Sequence, residues 1–393
     1  MIRAGAGQSS SSSTEQAAEQ AATAAMAQAG VPRADAVVVF FTVEHARHHQ
    51  TLFSTLARMT GTDQIVGSSA AGILTGAGEV EGQQGLAVLV FSSNEIQSRP
   101  FLFQPLRERD AEVGAEIAQR VGPHQPPSLL ILFPDTYHGQ PHQLLQSMEQ
   151  QIGFVPVVGA GSSENGIAQA TYQFCGENCA SNSVAGAQLS GSFEMTIDIT
   201  QGCQPITEPM VITRADKNLI FEINHRPALE IFSKLLKGPL AQDLRRALMF
   251  LFVGLPAGTD RDTVGPGQYL VRNIIELDPE KGSIGIPEEV REGQSMIFAL
   301  RDGQRARDDL NQMLQRQRRK LEGKPPAFGF YFNCCARGSS LYGIPGIDTA
   351  YIRQALGDFP LIGMFGGYEL APLGRRNHLF AYTGVLALII DKR

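Results

Sequence analysis

The chain has 393 residues and lacks several features that mark particular classes of protein. No apolar run approaches the ~20 residues that a membrane-spanning helix needs. Residues 1–30 also lack the apolar core of a secretory signal. Charged residues make up only 18% of the chain and the net charge is −6, so the charge gives no reason to expect nucleic acid or a membrane as a partner.

Cysteine is scarce and tryptophan is absent. The five cysteines are odd in number and scattered, which does not fit a disulfide framework. A reducing compartment is the simplest interpretation, and we expect a cytoplasmic protein. Because there is no tryptophan, a fluorescence-based thermal-shift assay needs an added dye. Hydrophobic residues make up 43% of the chain, enough for sizeable cores, and the length predicts two domains.

A pattern of strand, loop, helix and strand recurs along the chain. Each copy begins with an apolar run, continues into a helical stretch, and returns with a short strand that ends in glycine. The β-branched content and short length of these runs favour strands. The first strands are predicted at 36–41, 129–133 and 328–332, and the returning strands end at Gly67, Gly159 and Gly363. Residues 248–253 and 296–300 suggest a degenerate fourth copy.

These copies predict a mixed α/β fold made of two pseudo-repeated halves that face a central cleft. An N-terminal segment, residues 1–30, holds a Ser-rich stretch and a helix at 14–29, with Thr14 as its possible N-cap. The two domains are expected at 31–210 and 227–393. A charged helix within 301–324 carries an apolar face formed by Leu310, Met313, Leu314 and Leu321.

Three stretches carry a resemblance to a known family. Residues 65–72, IVGSSAAG, resemble the glycine loop of the FIST N-terminal domain. Residues 332–338, FNCCARG, and 361–372, LIGMFGGYELAP, are similar to the FIST C-terminal signature. The chain departs from the family pattern at Ala336, Tyr368 and Phe380, which bears on the ligand more than on the fold. The resemblance spans nearly the whole chain in the expected order.

This resemblance implies a sensor in signal transduction that binds a small ligand, with amino acids as the suggested ligands. The sensor would pass its signal to a partner protein. The rival hypotheses are a cysteine-dependent enzyme that acts on a small metabolite and a scaffold that binds only protein. We expect no cofactor and favour a protein that is not an enzyme.

The candidate ligand contacts come from two glycine loops and from the C-terminal signature. The loops expose backbone N–H groups that can hold a carboxylate, although turn formation explains them equally well. The loop candidates are Ser68, Ser69, Ser162 and Ser163, which we take as two pairs at equivalent positions. The signature adds Asn333, Cys334, Arg337, Tyr342, Glu369 and Asn377.

In an amino-acid pocket, Arg337 would hold the ligand carboxylate and Glu369 would meet the ammonium group. The alternative is that Arg337 and Glu369 pair with each other and serve structure alone. A nucleophilic Cys334 or Cys335 would need a nearby base, and none is visible in the sequence. The pairs His45/His49 and His138/His142 have the spacing of metal ligands on a helix, but helix-start positions explain them as well, and no metal is expected.

Overall fold

The computed structural model describes residues 1–122, 127–238, 242–257 and 269–392. These residues form two compact units. Unit 1 contains Met1–Ile199, Leu310–Leu379 and Thr383–Arg393, and unit 2 contains Thr200–Asp309 and Phe380–Tyr382. None of the helices in the described ranges combines the length and the apolar character needed to cross a bilayer.

The strands are numbered along the chain. The first thirteen are β1 (Ile2–Ser9), β2 (Ala36–Phe41), β3 (Ile65–Ser69), β4 (Gly72–Thr75), β5 (Gly78–Glu81), β6 (Leu86–Ser93), β7 (Ile96–Phe103), β8 (Ser128–Pro134), β9 (Val157–Ala160), β10 (Gln173–Cys175), β11 (Asn178–Ala180), β12 (Val184–Gly191) and β13 (Phe193–Gln201). The others are β14 (Cys203–Pro205), β15 (Met210–Asp216), β16 (Leu219–Ile223), β17 (Arg226–Pro227), β18 (Leu251–Pro256), β19 (Tyr269–Asn273), β20 (Glu276–Asp278), β21 (Ser283–Gly285), β22 (Ser295–Arg301), β23 (Phe328–Cys334), β24 (Leu361–Gly366), β25 (Glu369–Leu373), β26 (Arg376–Phe380) and β27 (Thr383–Asp391).

The helices follow the same convention. They are α1 (Thr14–Ala29), α2 (His49–Thr60), α3 (Asp110–Val121), α4 (Pro141–Ile152), α5 (Ala228–Leu235), α6 (Leu244–Ala247), α7 (Gly303–Leu321), α8 (Ser339–Tyr342) and α9 (Ile347–Leu356). A 3-10 helix, Val43–His48, precedes α2.

Unit 1 contains three sheets with the same strand plan. Their orders are β1-β6-β2-β3-β10-β11, β7-β12-β8-β9-β25-β26 and β13-β27-β23-β24-β4-β5. In each sheet the two middle strands, β2/β3, β8/β9 or β23/β24, run parallel. Such a parallel pair needs a crossover, and α2, α4 and α9 supply it. The structure therefore repeats one motif three times: copy 1 (β1–β6), copy 2 (β7–β12) and copy 3 (β13 with β23–β27).

Each copy lends a hairpin to the sheet of another copy. Hairpin β4–β5 of copy 1 extends the sheet of copy 3, β10–β11 of copy 2 extends that of copy 1, and β25–β26 of copy 3 extends that of copy 2. This cyclic exchange interlocks the copies. It also brings side chains from copy 1 to the strand ends of copy 3.

The returning strand of every copy carries a glycine where the neighbouring strand comes closest. A Cβ atom on Gly67 would lie 1.7 Å from the Val39 carbonyl oxygen, and one on Gly363 would lie 1.9 Å from that of Tyr331. No side chain fits such a gap. The predicted equivalence of Gly67, Gly159 and Gly363 is therefore confirmed by the register of the three parallel pairs.

The three copies meet at a cluster of phenylalanines. The ring centroids of Phe40 and Phe133 are 5.1 Å apart, and that of Phe332 is 6.1 Å from each of them. All three rings are fully buried. Each precedes the end of its strand, so the carboxyl ends of the parallel pairs lie near this shared core.

Unit 2 is an insertion in copy 3, between β13 and α7. Its sheet follows the order β19-β18-β22-β15-β16-β21-β20, with β14 paired to β22 and β17 paired to β16. The side chain of Phe232 on α5 packs into its core with Phe298 and Leu251.

The mixed α/β class is confirmed, and the structure corrects the number of copies. The expected fourth copy, residues 248–253 and 296–300, lies in unit 2, where β18 and β22 pair antiparallel. An antiparallel pair needs no crossover helix, so it cannot be another copy of this motif. Helix α1 has its predicted bounds, but its N-cap is Ser13 and not Thr14. The apolar face predicted within 301–324 is confirmed, because Leu310, Met313, Leu314 and Leu321 are buried on α7.

Candidate functional site

The serine loops lie at the junction of the three copies. The hydroxyl group of Ser69 donates to the Ser163 carbonyl oxygen (3.0 Å), and the Ser163 hydroxyl accepts from the Ala71 N–H (2.8 Å). The Ser163 hydroxyl also donates to the Phe365 carbonyl oxygen. These bonds join loops of all three copies. They show that the two hydroxyl groups are engaged with the protein itself.

The remaining serine candidates are also buried. The Ser68 hydroxyl donates to the Ser69 carbonyl oxygen (3.1 Å), and the Ser162 N–H donates to the Pro134 carbonyl oxygen (2.8 Å). Ser68 and Ser162 are both 0% exposed. The structure therefore places all four serines inside unit 1, where they tie strand ends together, and contact with a ligand stays a prediction.

The two serine pairs are not at equivalent positions. The glycines set the alignment, since Gly67 faces Val39, Gly159 faces Leu132 and Gly363 faces Tyr331. Counting from these glycines, Ser68-Ser69 corresponds to Ala160-Gly161, so Ser162-Ser163 lies two residues further along. The repeated Ser-Ser sequence led to the wrong alignment of the two loops, because the strand register is fixed by backbone contact and not by residue type.

A buried carboxylate, Asp348 in the first turn of α9, organises the C-terminal signature. It accepts hydrogen bonds from the hydroxyl groups of Tyr331 (2.9 Å) and Tyr342 (2.8 Å) and from the Asn333 amide (3.0 Å). It also forms a salt bridge with Arg337 at 3.2 Å. Arg337 and Asp348 are both 0% exposed. The cluster consists of one cation, one anion and three polar side chains, and it lies at the carboxyl end of β23.

Asp348 was absent from the sequence candidates. Acidic residues are common in the first turn of a helix, where they complement the helix dipole, so the position of Asp348 did not indicate a binding site. The structure corrects the alternative in which Arg337 pairs with Glu369, because the partner of Arg337 is Asp348. Tyr331 was likewise missed, since it sits inside an apolar run.

Three side chains of this region each keep one buried polar atom without a hydrogen-bond partner in the protein. The atoms are Asn333 Oδ1, Arg337 Nη1 and Glu369 Oε1. The other Glu369 oxygen accepts from the Thr383 hydroxyl (2.7 Å) and N–H (3.2 Å). Burial, and then the neighbouring Cys334, raise the pKa of Glu369 well above its usual value, and Arg337 opposes this. Thr383 precedes Gly384, which pairs with Asn333, so the Glu369 carboxyl group lies beside the end of β23.

Two carboxylates from the exchanged hairpin of copy 1 fasten the backbone beside this cluster. Glu79 accepts from the N–H groups of Gly346 (2.9 Å) and Thr349 (3.0 Å), and Glu81 accepts from the N–H (3.1 Å) and hydroxyl (2.9 Å) of Ser339. Burial, and then the charge of Asp348, raise the pKa of Glu79 to about 7. Sequence reasoning missed both residues because they are 258 or more positions away from their partners.

Asn377 lies on β26 and serves a different place. Its side chain accepts from the Val157 N–H (2.8 Å) and donates to Glu149 (2.7 Å) and to the Val155 carbonyl oxygen (2.9 Å). These contacts attach the hairpin of copy 3 to copy 2. The structure therefore brings Asn333, Cys334, Arg337, Tyr342 and Glu369 together, but it does not bring Asn377 to them.

No group of three or more metal-ligating side chains occurs in the part of the chain that the structure describes. His45 lies on the 3-10 helix and contacts the Thr14 hydroxyl (2.9 Å), while His49 begins α2. His138 contacts Asp135 (3.1 Å), and Pro141 starts α4, so this pair lies at a helix start.

The cysteines of the signature differ in access. Cys334 is 3% exposed, whereas Cys335 lies at the surface. Burial raises the pKa of Cys175 to about 11, and that of Cys179 to about 12. Both thiols are therefore protonated at neutral pH.

Comparison with known proteins identifies the family. Residues 35–226 match the FIST N domain, and residues 228–372 match the FIST C domain. An uncharacterised protein of Mycobacterium tuberculosis is 27% identical over 99% of this chain and 100% of its own length, and one of Mycobacterium bovis is 28% identical over 99% of each chain.

Among solved structures, a cyanuric acid hydrolase from A. caulinodans has a TM-score of 0.29 and 10% identity, over 48% of this chain and 71% of its own. That likeness is too low to support an argument about fold or function. FIST domains are associated with sensing and signal transduction. Because the two domain models together match most of its residues, the chain belongs to the FIST family.

Proposed function

We propose that this protein is a sensor that binds a small metabolite, an amino acid or a close relative, at the polar cluster of copy 3. The supporting observation is that Asn333, Arg337 and Glu369 are fully buried and each keeps a polar atom without a protein partner. An unsatisfied buried polar atom costs about 1–3 kcal/mol. A ligand that completed these hydrogen bonds would regain that free energy as affinity.

The free atoms match the two ends of an amino acid. Arg337 Nη1 is a charged donor suited to a carboxylate oxygen. Asn333 Oδ1 and Glu369 Oε1 are oxygens that can accept from an ammonium group. Asp348 holds the guanidinium through its Nε and Nη2 atoms, at 3.2 Å, which leaves Nη1 for the ligand.

The protonation of Glu369 gives this proposal a distinctive signature. Burial raises the pKa of Glu369 well above its usual value in the free protein, which favours the protonated carboxyl group. An ammonium group beside it favours the ionised form and lowers that pKa. We therefore expect an amino acid to bind with release of a proton.

The first experiment is a dye-based thermal shift against the twenty amino acids and close derivatives. A ligand at 100 times its dissociation constant stabilises the folded state by about 2.7 kcal/mol, which corresponds to a rise of a few degrees. The best ligand is then titrated by calorimetry in two buffers that differ in ionisation enthalpy. The difference in observed heat gives the number of protons released, which we expect to be greater than zero.

Two variants make the assignment specific. Glu369→Gln keeps the shape of the side chain and the acceptor for Thr383 but removes the proton, so binding should weaken and proton release should disappear. Glu149→Gln is the matched control, because Glu149 lies on α4 of copy 2, contacts Asn377 and is outside the cluster. A flat response to the whole panel, or a ligand that binds Glu369→Gln with the same affinity and proton release, would contradict the proposal.

We further propose that the sensor acts through a partner protein in the cytoplasm. None of the five cysteines, all of which lie in the described ranges, forms a disulfide, which agrees with a reducing compartment. Co-purification with and without the ligand tests for a partner protein. If the protein is a sensor, the set of proteins that co-purify with it should change when the ligand is added.

A further inference from the structure

Unit 2 carries an open groove of about 1150 Å³. This volume exceeds the ~300–1,000 Å³ of typical small-molecule sites. The groove lies between α5, the start of α7 and the strands β18 and β22. Its lining comes entirely from unit 2, so it is separate from the cluster in copy 3.

The floor of the groove is apolar and reaches the core of unit 2. Leu236, Leu251 and Ile297 line it while being only 8%, 2% and 2% exposed. Leu235 and Leu300 add half-buried surface on either side. A hydrocarbon chain packed against this floor, Leu235 and Leu300 would itself be removed from water.

The rim of the groove carries an excess of positive charge. Lys234, Lys237 and Arg305 line it together with a single carboxylate, Glu208. Lys234 forms a salt bridge with Glu230 at 2.6 Å, and the guanidinium of Arg305 contacts the Pro205 carbonyl oxygen at 3.5 Å. The basic rim next to an apolar floor is complementary to a molecule with a long hydrocarbon tail and one anionic head.

We propose that this groove binds a long-chain aliphatic carboxylate, with its tail on the leucine and isoleucine floor and its head at Lys237 and Arg305. The tail supplies most of the affinity, since each buried methylene contributes about 0.8 kcal/mol. The head fixes the direction of the chain through exposed charge pairs, which contribute less.

The test is displacement of a fluorescent dansyl-labelled undecanoic acid from the full-length protein. The competitors are saturated carboxylates of eight to fourteen carbons and the matching primary alcohols, all below their aggregation limits. Each added methylene should raise the affinity by up to about fourfold. At equal length, the carboxylates should bind more tightly than the alcohols.

Lys237→Ala tests the head group, because Lys237 is exposed and its loss does not disturb the core. This variant should bind carboxylates about twofold to fivefold more weakly and alcohols as before. Lys281→Ala is the control, since Lys281 is an exposed lysine of unit 2 outside the groove. The proposal is overturned if affinity does not rise with chain length, or if Lys237→Ala affects acids and alcohols equally. Amino-acid binding is measured separately, so either result leaves the proposal for copy 3 intact.

Discussion

Replacement of Asp348 by asparagine should destabilise unit 1 severely. Asp348 is 0% exposed and balances the charge of Arg337, which is also 0% exposed. Removing one partner of a buried ion pair leaves the other charge uncompensated and costs about 3–5 kcal/mol. Tyr331 donates to Oδ2 and Tyr342 to Oδ1, so the asparagine NH2 group would face one of these two donors.

A second substitution separates the charge effect from the loss of packing. Arg337→Met removes the stranded cation, so the double variant with Asp348→Asn should lose much less stability than the sum of the two single variants. Residues that share one buried network show coupling free energies of about 0.5–3 kcal/mol. We expect the upper end of that range for this pair.

The assay is urea unfolding followed by circular dichroism, because the chain has no tryptophan. Glu19→Gln is the control, since Glu19 forms a surface salt bridge with Arg58 at 2.7 Å and its removal should cost at most about 1 kcal/mol. If Asp348→Asn loses no more stability than Glu19→Gln, or if the two cluster substitutions are additive, the buried pair does not hold copy 3 together.

Two further predictions concern the exchanged hairpin and the close strand contacts. The pKa of Glu79 is about 7, raised from its usual 4.5. Between pH 4.5 and pH 7 the folded state therefore keeps a proton that the unfolded chain has lost. The free energy of unfolding should therefore fall as the pH rises from about 4.5 to 7. Glu79→Gln should reduce this fall, measured as the difference between the urea midpoints at pH 5 and pH 8. An unchanged difference would disprove the assignment. Gly67→Ala should abolish soluble expression or cost more than about 3 kcal/mol, because its Cβ would lie 1.7 Å from a carbonyl oxygen. Gly76→Ala, whose nearest contact is 3.4 Å, should be tolerated, and equal melting temperatures for the two variants would refute this reasoning.

The local elements could be predicted from the sequence because their signals are local. Strand β2 and helix α1 have the predicted bounds, since an apolar β-branched run or an alanine-rich stretch specifies its own conformation. The returning strands were recognised by their glycines, although β3, β9 and β24 each continue past the glycine where the sequence predicted an end. Those glycines are required by close contact with the adjacent strand. A residue type visible in the sequence therefore indicated a contact between two strands.

The exchange of hairpins and the insertion of unit 2 could not be predicted in the same way. Hairpin β4–β5 pairs with β24, which lies nearly three hundred residues further along the chain. No periodicity in either segment encodes that choice of neighbour. The same distance hid the roles of Glu79 and Glu81, whose partners become visible only when copy 1 is placed on copy 3.

The threefold repeat provides an internal comparison for the candidate site. Asn333 lies two residues beyond the point where β23 faces Gly363, and the corresponding residues in the other copies are Phe41 and Pro134. Phe41 is buried against Phe174, with ring centroids 6.1 Å apart. Copies 1 and 2 therefore fill this position with apolar groups, which the scaffold accommodates without an unpaired polar atom.

The position of Glu369 leads to the same conclusion. In the hairpins of the other copies the corresponding residues are Ile73, which is apolar, and Gln173, whose amide is bonded to Ser183 and Thr171. Of these equivalents, only Glu369 keeps a buried oxygen without a protein partner. The scaffold is thus stable with apolar or fully bonded groups at both positions, and the fold alone does not require the polar atoms of copy 3. Their cost is explained if a ligand completes them, which is why the cluster of copy 3, and not the serine junction, is the place to look for the ligand.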